Sequence, residues 1–292
     1  MKVAIRSKSG IPNHLPIKIE DCPFIFFINV KTPDVVATVT ISDAGDNIYS
    51  VATFDVSDDM YKSLDSNLNY NNISEKVKKE YINISIALHN ATRHIFDLIR
   101  QELYLYELRW LTSNPDEWLN NNEEWKIIPW QTISTAWRSH SAYKLDKKWV
   151  SHLQLLLDRG EEALLAIEHL HEAERAVGPQ FQWIEATIAA ELAIKEILVR
   201  IEPKLEVLLY NLPSPPLDKL YGDVLKSITG ESSQFVNIVR DGARIRNYLI
   251  HKPKSHRFNY QEVNNYIANI KKAIKYLLDV ERKANRKLIN GT

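Results

Sequence analysis

The period of the apolar positions changes once along the chain, and the first part has the period of β-strands. Short apolar or alternating runs bounded by turn residues occupy residues 24–30, 35–41 and 49–56. Alternation over four to eight positions is typical of a strand with one buried face. The polar cluster 43–47 between the last two runs indicates a turn. We therefore predict an antiparallel β-meander over about residues 1–57.

From residue 73 to about residue 110 the apolar positions follow a helical period. They recur at steps of three and four, and the stretch contains neither proline nor glycine. This spacing predicts one long amphipathic helix. The preceding Asn72-Ile73-Ser74-Glu75 offers capping residues for its first turn.

Residues 111–143 show no clear period and hold four of the seven tryptophans, Trp118, Trp125, Trp130 and Trp137. Such side chains can stack on nucleic-acid bases. More commonly they fasten a loop onto neighbouring helices, and packing is the favoured interpretation here.

The remainder of the chain is predicted to be helical. Glycines and prolines divide it into candidate helices at about 145–157, 160–177, 179–202, 216–228, 231–251 and 259–288. The predicted fold class is α+β and mainly α, with a division into residues 1–145 and 146–292.

Composition narrows the class of protein. A chain with 45% hydrophobic and 25% charged residues is an ordinary globular one, not collagen-like, disordered or coiled-coil. The single cysteine, Cys22, excludes an intrachain disulfide and a cysteine zinc site. The start lacks the apolar core of a signal peptide, and the most apolar stretch, 23–30, is too short to cross a bilayer. We expect a cytoplasmic protein without a membrane partner.

The charge is zero overall but unevenly placed. From Arg240 to the end there are 13 Lys and Arg against 4 Asp and Glu, and the earlier residues carry 24 against 33. A segment with nine excess positive charges suggests an anionic partner near the C-terminal end. A solvated basic helix is the alternative.

Common catalytic and cofactor motifs are absent from the sequence. It contains no His-Glu-x-x-His, no Gly-x-x-x-x-Gly-Lys-Ser/Thr, no Gly-x-Gly-x-x-Gly and no Gly-x-Ser-x-Gly. On a helix His169 and His171 point about 200° apart, and His89 and His94 also diverge. We therefore expect neither a metal site nor a cofactor.

One candidate catalytic motif remains, near the end of a predicted helix. It is Arg244-Ile245-Arg246-Asn247-Tyr248-Leu249-Ile250-His251-Lys252-Pro253. Here the sequence resembles the HEPN superfamily of small helical bundles, whose signature is an arginine, then usually Asn, His or Asp, three more residues and a histidine. The helix over 184–198, the proline-rich loop, a short helix, the motif helix and a long final helix follow in the expected order. The resemblance covers about residues 179–290.

The resemblance implies metal-independent RNA cleavage by a homodimer in which two copies of the motif face each other. Arg246 would stabilise charge on phosphate oxygens, His251 would transfer protons, and Asn247 would orient either of them. Five residues at about 100° each place Arg246 and His251 roughly 140° apart on a regular helix. Because Pro253 disfavours helix at Lys252, the helix should end there and leave His251 at a frayed last turn.

Further candidate residues flank the motif. Arg244 lies about 200° round the helix from Arg246 and is expected to serve the outer face or an RNA backbone contact. Lys252, Lys254 and Arg257 could hold phosphates or simply be solvated. Relatives place a polar residue of the first core helix in the motif cleft, so Glu191 or Lys195 could lie there. Their spacing of four also fits a surface salt bridge.

The sequence thus predicts a HEPN-type endoribonuclease in a toxin or phage-defence setting, with an antitoxin or regulatory protein as a further partner. One branch of HEPN toxins often has a tyrosine two residues after the histidine. This sequence has Pro253 at that position, so regulation through such a tyrosine is not expected. A non-catalytic HEPN-like module that binds RNA or nucleotides, or only dimerises, is the alternative. A third is a sensory or structural protein whose meander recognises a partner.

Overall fold

The computed structural model describes residues 1–11, 23–42, 47–66, 70–104, 112–130, 147–211, 215–251 and 260–290. The chain is α+β and mainly α. It divides into two compact units, Met1–Ala163 and Leu164–Thr292. This division lies later than the predicted one at 145/146, because the helix Lys147–Asp158 packs within the first unit.

The first unit is built on an antiparallel sheet. Within the described residues it has seven strands, β1 (Lys2–Gly10), β2 (Phe24–Lys31), β3 (Asp34–Ile41), β4 (Asn47–Asp55), β5 (Thr112–Ser113), β6 (Glu117–Leu119) and β7 (Trp125–Ile127). Their order is β2-β3-β4-β1-β6-β7, and β5 pairs with β1. Strands β2 to β4 form the predicted meander. The first strand adds beyond β4, with Ile5 opposite Ala52, so it does not precede β2 in the sheet.

One face of this sheet is buried against a long helix. Alternate residues of the strands, such as Ile5, Phe26 and Phe54, are almost fully buried. Three helices belong to the unit, α1 (Asp58–Leu64), α2 (Glu75–Glu102) and α3 (Lys147–Asp158). The Ser74 side chain accepts a hydrogen bond from the Val77 amide, which confirms the predicted cap of α2.

The tryptophan-rich segment is more ordered than its sequence indicates. Its described part forms β5 to β7, because Asp116 fastens it to α2 by accepting hydrogen bonds from Tyr81 at 2.6 Å and Ser85 at 2.9 Å. Trp118 packs edge-on against Tyr61, and Trp130 packs in the same way against Tyr81. The packing interpretation is confirmed for these two side chains. Trp137 lies outside the described residues.

Helix α3 covers the edge of the sheet. The Gln154 side chain accepts a hydrogen bond from the Phe27 amide and donates one to the Phe27 carbonyl, both at 3.0 Å. It thereby occupies backbone groups of β2 that an edge strand would otherwise present to another chain.

The second unit is a helical bundle. It contains α4 (Leu165–Arg175), α5 (Pro179–Ile201), α6 (Glu206–Asn211), α7 (Leu217–Lys219), α8 (Leu225–Thr229), α9 (Val236–His251) and α10 (Tyr260–Asn290). A 3₁₀ turn, Pro203–Leu205, precedes α6, and a π-helical turn, Leu220–Val224, joins α7 to α8. Helix α5 lies at the centre and packs against α4, α9 and α10. The sequence did not predict α1, the 3₁₀ turn or α6.

The carboxylate of Glu196 links α5 to the start of α4. It accepts hydrogen bonds from the Leu165 and Ala166 amides, which are first-turn donors that α4 itself leaves unpaired. Burial raises the pKa of Glu196, while the two amide donors act in the opposite direction. No helix in the described part of the chain is long and apolar enough to span a bilayer.

Candidate functional site

The motif helix α9 is fixed to the bundle on the side opposite its exposed face. Trp183 of α5 donates a hydrogen bond from its indole nitrogen to the Gly242 carbonyl at 3.2 Å. The Tyr266 ring of α10 lies so close to Gly242 that a Cβ atom there would overlap the phenol hydroxyl. Glycine at this position therefore permits the close approach of α9 to its neighbours.

Arg246 lines a cleft of about 190 Å³ between α5, α9 and the start of α7. The other lining residues are Thr187, Glu191, Pro215, Pro216, Leu217, Ala243 and Asn247. The Arg246 Nη1 donates a hydrogen bond to Asn247 Oδ1 at 3.3 Å. Among the described residues no carboxylate forms an ion pair with Arg246, so its guanidinium fork can receive an anion.

His251 borders a different hollow. This second hollow, about 320 Å³, is lined by Arg244, Asn247, Tyr248 and His251. The helix stays regular up to His251, which is exposed, so the predicted separation of about 140° from Arg246 persists in the structure. Asn247 borders both hollows and is the side chain that connects them.

Arg244 lines the same hollow as His251. The sequence placed it on the outer face relative to Arg246, and its side chain is indeed 75% exposed, with Asp241 at 3.9 Å. The association with His251 was missed. Seven residues are nearly two helical turns, so the spacing from 244 to 251 was the signal that could have revealed it.

Glu191 and Lys195 form the salt bridge that their spacing predicted. Lys195 Nζ donates to Glu191 Oε1 at 2.7 Å, and the lysine side chain is 12% exposed. Glu191 also lines the Arg246 cleft, whereas Lys195 does not. The two interpretations of Glu191 are therefore compatible.

The remaining predicted residues, Lys252, Lys254 and Arg257, lie outside the described residues. Helix α9 extends to His251, the last described position before that gap. Sequence reasoning missed that Pro215, Pro216 and Leu217 line the Arg246 cleft. The proline-rich segment was recognised only as a break between helices.

The other histidines among the described residues have structural partners. His169 Nδ1 is 2.8 Å from Glu185 Oε2, and His89 Nδ1 is 2.8 Å from the Ser85 carbonyl. Within the part of the chain that the structure describes, no three His, Cys, Asp or Glu side chains are grouped to hold a metal ion.

The site thus combines an arginine able to bind an anion with an exposed histidine on a different face of the same helix. An imidazole transfers protons near neutral pH, and a guanidinium stabilises negative charge on phosphate oxygens. Comparison with models of protein families, with curated proteins and with solved structures finds no match for this chain.

Proposed function

We propose that the protein is a metal-independent endoribonuclease of the HEPN type that acts as a homodimer. The observation that carries the proposal is the position of Arg246 in an open cleft. No carboxylate among the described residues pairs with it, and Asn247 connects it to the hollow of His251.

The proposed reaction is an intramolecular transesterification of RNA. The ribose 2′-oxygen attacks the adjacent phosphorus and loses its proton to a base, and the bond from phosphorus to the 5′-oxygen breaks. The leaving oxygen takes a proton from an acid, which gives a cyclic phosphate and a free 5′-hydroxyl. A histidine suits both transfers, and Arg246 would stabilise the charge that develops on the phosphate oxygens.

The separation of Arg246 from His251 within one chain favours a dimeric site. The two side chains border different hollows, so one helix does not bring both to the same phosphate. A second copy related by a two-fold axis would place its own motif opposite this one and supply the second proton-transfer group. The exposed side chains of α9, with Tyr248 and Ile250 each 50% exposed, are the surface available for that contact.

A cytoplasmic toxin or phage-defence setting, with an antitoxin or other regulatory protein, belongs to the same proposal. The second candidate function is an RNA- or nucleotide-binding module without catalysis. The exposed Arg244 and the excess of positive charge after Arg240 favour it, because both serve anion binding without requiring a reaction.

An RNA cleavage assay in EDTA separates these candidates. Wild type is compared with His251→Ala and with His152→Ala, a control in the first unit whose described partners are Glu102 and Trp149. We expect cleavage by wild type and the control, with cyclic phosphate ends, and a loss of at least about 100-fold in His251→Ala.

Folding and oligomeric state of all three proteins are checked by circular dichroism and sedimentation. Equal cleavage by His251→Ala would refute the catalytic role. Salt-dependent RNA binding without cleavage by any folded, dimeric variant would favour the binding module.

A further inference from the structure

Four polar side chains form a line along the exposed face of α9. They are Arg240, Arg244, Asn247 and His251, and all four are exposed. At about 100° per residue, their directions fall within about 60° of one another round the helix axis. At about 1.5 Å per residue, the line is about 16 Å long from Arg240 to His251. Arg240 thus lies on the same face as His251, three turns before it.

The turn of α9 that carries Arg240 is fixed in the bundle. Val239 beside it is fully buried, and the Gly242 carbonyl two residues later receives the hydrogen bond from Trp183. The Tyr266 ring fills the space next to Gly242. The backbone at Arg240 is therefore in place before a ligand arrives, and only the arginine side chain has to be ordered on binding.

The two guanidinium groups on this line are available to an anion. Among the described residues no carboxylate forms an ion pair with Arg240. Arg244 has Asp241 at 3.9 Å, but their side chains are 75% and 55% exposed, and such exposed pairs contribute little. A guanidinium fork matches two oxygens of one phosphate, so two arginines one helical turn apart fit successive phosphates.

A chain of phosphates fits this line better than a single anion does. The line is one side chain wide, and a single nucleotide is too short to reach both Arg240 and His251. The amide of Asn247 lies between them and can donate to a further phosphate oxygen. Rows of basic side chains that follow a backbone are typical of proteins that bind single strands without sequence preference.

We propose that a single strand of RNA lies along α9, with one phosphate at Arg240 and the strand leading past Arg244 to the hollow of His251. The inference rests on the proposed function, because it takes RNA as the ligand, and it adds a path and a minimum length to the substrate. At roughly 3.4 Å per nucleotide of a stacked strand, the line corresponds to about five nucleotides. Arg240 therefore binds the substrate at a distance from the cut.

Two substitutions of Arg240 test this path. Arg240→Ala removes the guanidinium group, and Arg240→Lys keeps the charge but not the fork. Lys226→Ala is the matched control, because it removes one positive charge from an exposed position on α8 of the same unit. Thermal unfolding of each variant establishes that it is folded.

The first measurement uses one RNA with a mapped cut site, shortened stepwise from either end. On the full RNA we expect kcat/KM of Arg240→Ala to be about 10-fold lower, chiefly through KM, and that of the control to be unchanged. Shortening from one end should lower wild type to the level of Arg240→Ala, and the difference between them should then vanish. An equal loss on the shortest RNA, or no loss on the full one, overturns the inference and leaves the ribonuclease intact.

The second measurement is binding of a labelled single-stranded RNA in the His251→Ala background, followed by fluorescence anisotropy. We expect about 10-fold weaker binding by Arg240→Ala, an intermediate loss in Arg240→Lys, and a slope of log K against log salt shallower by about 0.7 in Arg240→Ala. An unchanged slope, or equal weakening by Lys226→Ala, overturns the inference. If wild type does not cleave but this loss is present, the path along α9 stands and the nuclease fails. Absence of both cleavage and the loss overturns both.

Discussion

The Trp183 indole lies flat on the Tyr266 ring, with centroids 3.9 Å apart and an angle of 9° between the planes. This pair joins α5 to α10, and the Trp183 nitrogen also bonds to the Gly242 carbonyl of α9. The Tyr266 hydroxyl in turn contacts Thr187, which lines the Arg246 cleft. Packing in the bundle core therefore sets the position of the motif helix relative to the cleft.

Gly242→Ala should disrupt this arrangement. The added Cβ would overlap the Tyr266 hydroxyl in a buried position, which forces a shift of the ring or of α9. We expect the free energy of unfolding to fall by about 1–3 kcal/mol, measured by urea denaturation. If Arg246 acts from the cleft, RNA cleavage should fall as well.

Gly222→Ala is the control for the helix-propensity effect of the same change. A Cβ at Gly222 would meet Val236 at 3.7 Å, an ordinary van der Waals distance. Alanine is the better helix former by about 1 kcal/mol, so this variant should be as stable as wild type or more stable. Equal destabilisation by both changes would contradict the overlap at Gly242.

Glu196→Gln should alter the dependence of stability on pH. Burial raises the pKa of Glu196 above its usual value of 4.5, so the folded protein holds this proton more tightly than the unfolded chain. The associated stability is present below about pH 4.5 and is lost as pH rises through the folded pKa.

Glutamine does not titrate, so the advantage of wild type over Glu196→Gln should be greatest at low pH and decline as pH rises. Urea midpoints of the two proteins between about pH 4 and pH 7 measure the difference. An advantage that is constant or grows with pH would show that burial does not dominate at this carboxyl group.

Tyr81→Phe should destabilise the first unit. It removes a 2.6 Å hydrogen bond to the fully buried Asp116, and loss of one partner of a buried charged group costs about 1–3 kcal/mol. Tyr61→Phe is the matched control, because the bond from Tyr61 to Asn121 is exposed. Thermal unfolding should separate the two variants, and equal effects would argue against a role for Asp116 in fastening β5 to β7.

Gln154→Ala should expose the edge of the sheet. The change removes both hydrogen bonds to Phe27, and Phe27 is itself 55% exposed. We expect a loss of about 1 kcal/mol in stability and faster aggregation, followed by light scattering. Gln261→Ala, an exposed position on α10, is the control. Aggregation at the control's rate would show that α3 does not protect this edge.

Arg244→Ala should weaken RNA binding and reduce its dependence on salt. Arg244 is exposed and borders the hollow of His251, so we expect it to contact phosphate. Measured in the His251→Ala background, the slope of log K against log salt should become shallower by about 0.7. Lys226→Ala on α8 serves as the control, and an unchanged slope in Arg244→Ala would exclude a phosphate contact.

The sequence by itself determined the elements whose pattern is local. The period of two in β2 to β4 and the period near 3.6 in α2, α5 and α10 follow from side chains that repeat on one face, so the type of these elements was predicted. Their bounds were predicted approximately, except that α2 ends at Glu102 and not near residue 110. The order of the motif, Arg246, Asn247 and His251, and their angular separation on a helix were also available from the sequence. The N-cap of α2 at Ser74 was also predicted from neighbouring residues alone.

Tertiary structure decided what depends on distant residues. The placement of β1 beyond β4 and the strands of the tryptophan-rich segment arise from pairings that no local period records. The same holds at the site. Pro215, Thr187 and Glu191 meet Arg246 only because Trp183, Gly242 and Tyr266 bring three helices together. A local pattern fixes which face of a helix is apolar, whereas the neighbour that covers it is chosen by packing of the whole chain.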